Sequence, residues 1–358
     1  MNNIVNPGSS HETDVVIIGA GPCGLFQVFE LGLLDMKSHL IDNLDKIGGQ
    51  CAELYPDKNL YDIPSRPAIT GQELTDDLIK QAEPFNPTYH LNQLTSKIEI
   101  NENYILVETD KGSSIKCKSV VIAAGAGSFV PRKLPAEGAD QLENKNIFYS
   151  VKKRTDFQDK NILIIGGGDS ALDYVMGFQG IAKKVSLVHR RKEFKGVQDS
   201  VNKVMSLVDK GEVNFNMGSL KKVTLNENGK VTATLDDDKI IDDIDAIFPF
   251  FGLKIELGPI AEWGLNLEKN HISVNTENFE TSVPKIFAVG DICIYPGKLK
   301  LILSGFHEAA LAAKKMFEYC HSDKKYVFRY TTSSSDLQKK LGVKWFIQTY
   351  SLVVSHIK

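Results

Sequence analysis

The stretch T-D-V-V-I-I-G-A-G-P-C-G, residues 13–24, decides how the rest of this chain is read. Residues 14–18 form a short, β-branched apolar run, too brief for a helix and suited to a strand buried on both faces. Gly19, Gly21 and Gly24 follow at G-x-G-x-x-G spacing, and the apolar residues 25–34 suit a crossover helix. Gly19 permits the tight turn, Gly21 lets backbone amides approach a pyrophosphate, and Gly24 lets helix and strand pack closely. A glycine fingerprint by itself is weak. A second apolar strand at residues 38–41 strengthens it by ending in Asp42, about 20 residues past the glycines, where an acceptor for a ribose 2′-hydroxyl belongs.

The same pattern returns at residue 161. Residues 162–165 are an apolar strand, Gly166, Gly168 and Ala171 supply G-x-G-x-x-A around Asp169 and Ser170, and residues 171–178 begin a helix. A second dinucleotide site is implied. Its next strand, residues 184–188, runs into His189, Arg190, Arg191 and Lys192 with no carboxylate at the ribose position. A carboxylate would repel a 2′-phosphate, whereas two guanidiniums form forked hydrogen bonds to it, so this site is expected to select NADP over NAD.

At 358 residues the chain exceeds one comfortable core, and two domains are expected. A net charge of −3 argues against bulk nucleic-acid binding, while 42% apolar and 24% charged residues are those of an ordinary soluble protein. Residues 1–12 show no basic-then-apolar secretory pattern, and the apolar stretch 343–354 is too short to cross a bilayer, so a cytoplasmic protein without membrane association is expected. The five cysteines (Cys23, Cys51, Cys117, Cys293 and Cys320) include no close pair, which argues against zinc sites and structural disulfides.

Between the two fingerprints, residues 46–50 and the proline-bearing segments at Leu54-Tyr55-Pro56 and Tyr61-Asp62-Ile63-Pro64 read as loop, with Tyr55 able to stack on a planar ring or to pin the loop. Residues 72–83 read as a helix, 94–109 as two strands, and 119–124 as a strand ending in a candidate hinge at Gly125-Ala126-Gly127. Later, residues 215–226 and 230–235 flank Asn228-Gly229 as a hairpin, and residues 244–251 are apolar. Residues 286–289 form a strand ending in Gly290-Asp291, which can place a carboxylate at the edge of a sheet beside a cofactor. A long helix opens at Gly305 and runs to Tyr319. Within it His307 and Glu308 are neighbours that point in different directions, so packing and hydrogen bonding suit them better than an acid/base partnership.

Together the two fingerprints, His189-Arg190-Arg191, Phe287-Ala288-Val289-Gly290-Asp291 and the segment from Gly305 to Ala310 resemble the two-dinucleotide flavoprotein family that includes thioredoxin reductase, over about residues 13–335. The resemblance implies FAD at the first motif, NADPH at the second, and Asp291 on the flavin ribityl chain. Thioredoxin reductases carry a C-x-x-C shortly before the second fingerprint. Here Ile147-Phe148-Tyr149-Ser150-Val151 contains no cysteine, which excludes thioredoxin reduction through that disulfide. Gly48-Gly49-Gln50-Cys51, Leu54-Tyr55-Pro56-Asp57-Lys58, and Tyr295-Pro296-Gly297-Lys298 are similar to the ferredoxin (or flavodoxin) NADP reductases of the thioredoxin-reductase-like type.

That resemblance implies an α/β fold with two Rossmann-like domains, the NADP domain (residues 126–282) inserted into a discontinuous FAD domain (residues 1–125 and 283–330), and a C-terminal extension at 331–358. FAD contacts are expected from Gly19, Gly21, Pro22, Cys23, Gly24, Asp42, Gly49, Gln50 and Asp291, with Tyr55 stacked on one flavin face and Tyr330, beside Thr332, covering the other. NADP contacts are expected from Gly166, Gly168, Asp169, Ser170, Ala171, His189, Arg190 and Arg191. The flavin carries the chemistry, so no catalytic side chain is required. A homodimer that passes electrons to ferredoxin or flavodoxin is implied; the alternative is an NADPH oxidoreductase serving a quinone or another small acceptor. Residues 314–344 hold eight Lys or Arg against three acids, a basic rim suited to an acidic carrier or simply a solvated face.

Overall fold

The computed structural model describes residues 3–342 with the exception of Ala126, Lys152, Phe328 and Arg329. The apolar stretch at 343–354, Lys344 and most of the expected extension therefore lie outside the described residues. Two compact units are present among the described residues, one of residues 3–47, 75–125 and 259–342, the other of residues 48–74 and 127–258.

The first unit is built on a parallel sheet in the order Asn3–Ile4, Thr88–His90, Ser38–Ile41, Val15–Ile18, Ser119–Ile122, Ile286–Ala288. Val15–Ile18 and Ser119–Ile122 are buried at every position, the signature of strands covered on both faces. The helix Pro22–Leu33 leaves the first glycine turn and packs on the helix Ile302–Cys320. Gln27, fully buried on the first helix, donates from Nε2 to Ala309 O at 3.1 Å, and the rings of Phe26 and Phe306 lie 4.6 Å apart. The expected strands at 94–109 are Thr95–Ile100 and Ile105–Thr109, an antiparallel pair in a separate four-stranded sheet.

The second unit has its own parallel sheet, in the order Val213–Met217, Lys184–His189, Asn161–Ile165, Ala246–Pro249. Its core includes Ile164, Leu172, Phe178, Val204 and Phe248, with the Phe178 and Phe248 rings stacked at 5.5 Å. Truncating either phenylalanine to alanine would cost about 3–5 kcal/mol. A three-stranded antiparallel sheet of Leu220–Leu225, Val231–Leu235 and Ile240–Ile244 accompanies it.

Several expectations need correction. The run 215–226 is not one hairpin arm: Gly218, at φ +148, breaks it, so that Val213–Met217 completes the parallel sheet and only Leu220–Leu225 pairs with Val231–Leu235. The glycine loop at 46–50 leads into a short helix, Gly49–Glu53, entered through Gly48 at φ +119. The long helix starts one turn before Gly305, at Ile302. No correction concerns the domain bounds: compactness alone divides the chain at Pro259, and His271–Ser273 pairs in parallel with Cys293–Ile294 in the first unit. Residues 48–74 group with the second unit, where Arg154 Nε donates to Asp57 Oδ2 at 2.6 Å and Tyr174 OH donates to Leu54 O at 3.3 Å.

Candidate functional site

The first glycine turn sits at the carboxyl end of the Val15–Ile18 strand. Gly19 has φ +109, and a Cβ there would lie 2.4 Å from Ala123 O, so only glycine suits the position. A Cβ on Gly24 would lie 2.0 Å from Gly19 O, which makes the close approach of helix and turn equally dependent on glycine. Gly21 caps the helix with no side-chain hydrogen bond, Pro22 occupies its first turn, and no acidic residue stands there, so the helix amides are left for an anion.

Asp42 closes this turn from the neighbouring strand. Its Oδ2 accepts from Ala20 N at 2.7 Å and its Oδ1 from Leu44 N at 2.9 Å, and burial pushes its carboxyl upward. Each oxygen keeps further acceptor capacity, which is the chemistry a ribose hydroxyl needs.

A second turn meets the first from the far end of the chain. Gly290 has φ +79, and Cys23 Sγ lies 3.1 Å from where its Cβ would be and 2.2 Å from where a Cβ on Gly305 would be. Gly19, Gly24, Cys23, the Gly290–Ile292 turn with Asp291, and Gly305 are thereby brought together. Beneath that turn Glu308 is fully buried and is bonded by Gly290 N at 2.6 Å, Tyr295 OH at 2.8 Å and Cys293 Sγ at 3.5 Å, and paired with Lys298 Nζ. Burial, then the Glu308 carboxylate, raises both the Tyr295 phenol and the Cys293 thiol. His307 is exposed, so the two neighbours do diverge as expected. The Glu308 cluster is absent from the sequence reading, although its signal is there: with Gly305, Ala309 and Ala312, Glu308 falls on the helix's buried stripe, where a charge must have a partner.

The second glycine turn differs. Gly166 has φ +150, and a Cβ on Gly167 would lie 2.3 Å from the His189 ring, whereas a Cβ on Gly168 would meet nothing within 4 Å. Open space thus stands at the N-cap of the helix Asp169–Gly177. Asp169 uses Oδ1 to accept from Val197 N at 2.7 Å, fixing the following loop. Ser170 is exposed and Ala171 buried. His189 stacks on Phe194 at 5.0 Å, with Nε2 3.1 Å from Glu193 O. Arg190 and Arg191 are exposed and have no ion-pair partner among the described residues, so both guanidiniums are available to a phosphate.

Other expected contacts lie on other segments of the chain. Gly49, Gln50 and Tyr55 belong to the segment 48–74 of the second unit, where the Cys51 thiol faces Tyr55 OH at 3.7 Å. Tyr330 is 71% exposed, and the carbonyl of the exposed Thr332 accepts from Gln338 Nε2 at 3.3 Å. The five cysteines form no disulfide with one another, and burial pushes the Cys117 and Cys320 thiols up to about 12, so neither is a ready nucleophile. No metal-binding group of three or more His, Cys, Asp or Glu is present among the described residues.

Known proteins resemble this chain in sequence and in fold. Residues 13–313 match the pyridine nucleotide-disulphide oxidoreductase family. A ferredoxin--NADP reductase of Nitrobacter winogradskyi is 54% identical over 337 residues, covering 93% of this chain and 98% of the relative. One of Beijerinckia indica is 52% identical over 343 residues, covering 94% and 99%. In fold the chain is similar to thioredoxin reductases of Lactococcus lactis (TM-score 0.71, 23% identity, 87% of this chain and 99% of that one) and T. acidophilum (0.71, 20%, 86% and 98%). The chain belongs to the pyridine nucleotide-disulphide oxidoreductase family, in the group whose members include the ferredoxin--NADP reductases.

Proposed function

We propose that this chain is a ferredoxin--NADP reductase that moves electrons between NADP(H) and ferredoxin through bound FAD. The observation that carries the reading is the pairing of two unlike glycine turns, one closed by the buried Asp42 and one flanked by the exposed Arg190 and Arg191. An acceptor suits the unphosphorylated ribose of FAD, and paired guanidiniums suit the 2′-phosphate of NADP.

When bound, FAD supplies exchange of a two-electron hydride on one side and of single electrons on the other. The protein's part is to bind and orient. Gly19, Gly21, Pro22, Cys23 and Gly24 hold the FAD pyrophosphate, Asp42 its ribose and Asp291 its ribityl chain. Gly49, Gln50, Tyr55, Tyr330 and Thr332 complete the proposed flavin contacts. Gly166, Gly168, Asp169, Ser170 and Ala171 form the NADP turn, and His189, Arg190 and Arg191 its 2′-phosphate clamp. The FAD domain is proposed at residues 1–125 and 283–330, the NADP domain at 126–282 and an extension at 331–358. By family likeness the enzyme is a cytoplasmic homodimer. No helix among the described residues is long and apolar enough to cross a membrane.

Steady-state assays with NADPH and purified ferredoxin, flavodoxin or a quinone test the reading. Ferredoxin is expected to give the highest kcat/KM. A preference for the quinone by tenfold or more would overturn the carrier assignment.

A further inference from the structure

Glu308 is 0% exposed on the helix Ile302–Cys320, and its partner Lys298 has a side chain only 4% exposed. A buried ion pair of this kind is no obvious source of stability, since apolar residues of similar volume often serve as well or better. What an apolar residue could not do is accept hydrogen bonds. The Glu308 carboxylate is met by three donors, Gly290 N–H on Oε2 and Tyr295 O–H and Lys298 N–H on Oε1, and by the Cys293 thiol, whose one proton is shared between Glu308 Oε2 at 3.5 Å and Gly290 O at 3.2 Å. A carboxylate offers about four lone-pair sites, so most of its acceptor capacity is in use.

The strongest geometric consequence falls on Gly290. Its amide is held by Glu308 Oε2 at 2.6 Å while its φ is +79, and Cys23 Sγ of the first glycine turn lies 3.1 Å from where a Cβ on it would be. Asp291 is the next residue of the same 3-10 turn, Gly290–Ile292. Held from below by the carboxylate and from the side by Cys23, this turn has little freedom to carry Asp291 elsewhere.

We infer that Glu308, with Lys298 as its counter-ion, is a positioning residue for FAD: it fixes the Gly290–Ile292 turn, and so Asp291, against the first glycine turn. The inference rests on the reading that Asp291 meets the flavin. Lys298 pairs with the Glu308 carboxylate, and the Tyr295 hydroxyl orients it. None of the three touches the reacting atoms in this role.

Flavin release from the full-length holoenzyme tests the inference, followed by recovery of free-flavin fluorescence on dilution, alongside the melting temperature of flavin-stripped protein. Lys298→Met leaves a buried charge unpaired and is expected to speed release by about tenfold or more. The double variant Lys298→Met with Glu308→Gln is neutral and keeps an amide oxygen facing Gly290 N, so release should return to within about threefold of wild type. Asp291→Ala should speed release without lowering the melting temperature of the stripped protein. If Asp291→Ala releases flavin at the wild-type rate, the Asp291 reading fails, and the inference with it. If Asp291→Ala is fast while Lys298→Met melts lower yet releases flavin at the wild-type rate, Glu308 and Lys298 are merely structural and the inference alone is overturned.

Discussion

The two glycine turns share a backbone plan and differ in what surrounds it. Around the first, the packing is close: a Cβ on Gly24 would lie 2.0 Å from Gly19 O, and Asp42 is 8% exposed with each oxygen accepting one backbone amide. Around the second, Gly168 faces open space and the charged residues Arg190 and Arg191 stand in solvent. A resident cofactor favours the closed, prearranged site, because rigid contacts lose little entropy on binding; a coenzyme that comes and goes favours the open one.

Substitution at the two turns should break the symmetry most sharply. Gly24→Ala forces a methyl into a backbone oxygen that cannot rotate aside, and should cost more than the ~1–3 kcal/mol usual for overpacking, giving protein that is colourless and melts early. Gly168→Ala meets nothing within 4 Å, so that variant should stay yellow and melt normally, with only NADP(H) binding weakened. A colourless Gly168→Ala protein would reverse the assignment of the turns.

Next in size is the coenzyme clamp. Replacing Arg190 and Arg191 by alanine removes charge-assisted hydrogen bonds of about 1.5–3 kcal/mol each, so the KM for NADPH should rise far more than that for NADH. Flavin content should not change. An unaltered NADPH preference would show that another group reads the phosphate.

Acid should act on the first unit. His39 Nδ1 lies 3.0 Å from His90 Nε2, with the His11 ring within 5.3 Å of both. Burial, then the neighbouring imidazoles, pushes His39 and His90 from 6.5 down to about 4. In that interval the unfolded chain binds more protons than the folded one, so stability is lost as pH falls from 6.5 and the loss is complete below about 4. For the fully buried His90 the cost is on the order of 3 kcal/mol. His90→Gln should flatten the melting-temperature profile between pH 6.5 and 4, as read by calorimetry.

The smallest effect is expected at the basic rim. Lys324 and Lys325 are exposed, while Arg329 and Lys344 lie outside the described residues. Attraction between exposed charges is screened beyond about 8 Å at physiological salt and acts mainly on encounter rate. Lys324→Glu with Lys325→Glu should slow electron transfer to ferredoxin at low salt, with the deficit shrinking as salt rises. Identical carrier kinetics at low ionic strength would remove these lysines from the docking surface.

Much of the parallel framework was legible because its strands are short apolar runs and its turns need glycine for steric reasons, as at Gly19 and Gly166. The place of Asp42 beside the first turn, where it accepts from Ala20 N, was legible through its distance from the glycines. Contacts that join distant segments were not: nothing local in the chain announces that Arg154 meets Asp57 or that Glu308 meets Gly290. The helix Gln198–Asp209, with Val201, Val204 and Val208 at helical spacing, lacks a place in the sequence reading. Residues 215–226 misled because alternation continues across Gly218 while the backbone turns into another sheet.

Anaerobic mixing of the holoenzyme with NADPH, followed by mixing with oxidised ferredoxin, tests the whole electron path in one experiment. The flavin absorbance should bleach on the first mixing and return on the second as ferredoxin becomes reduced. A flavin that NADPH leaves oxidised, or a bleached flavin that ferredoxin cannot restore, would contradict the account.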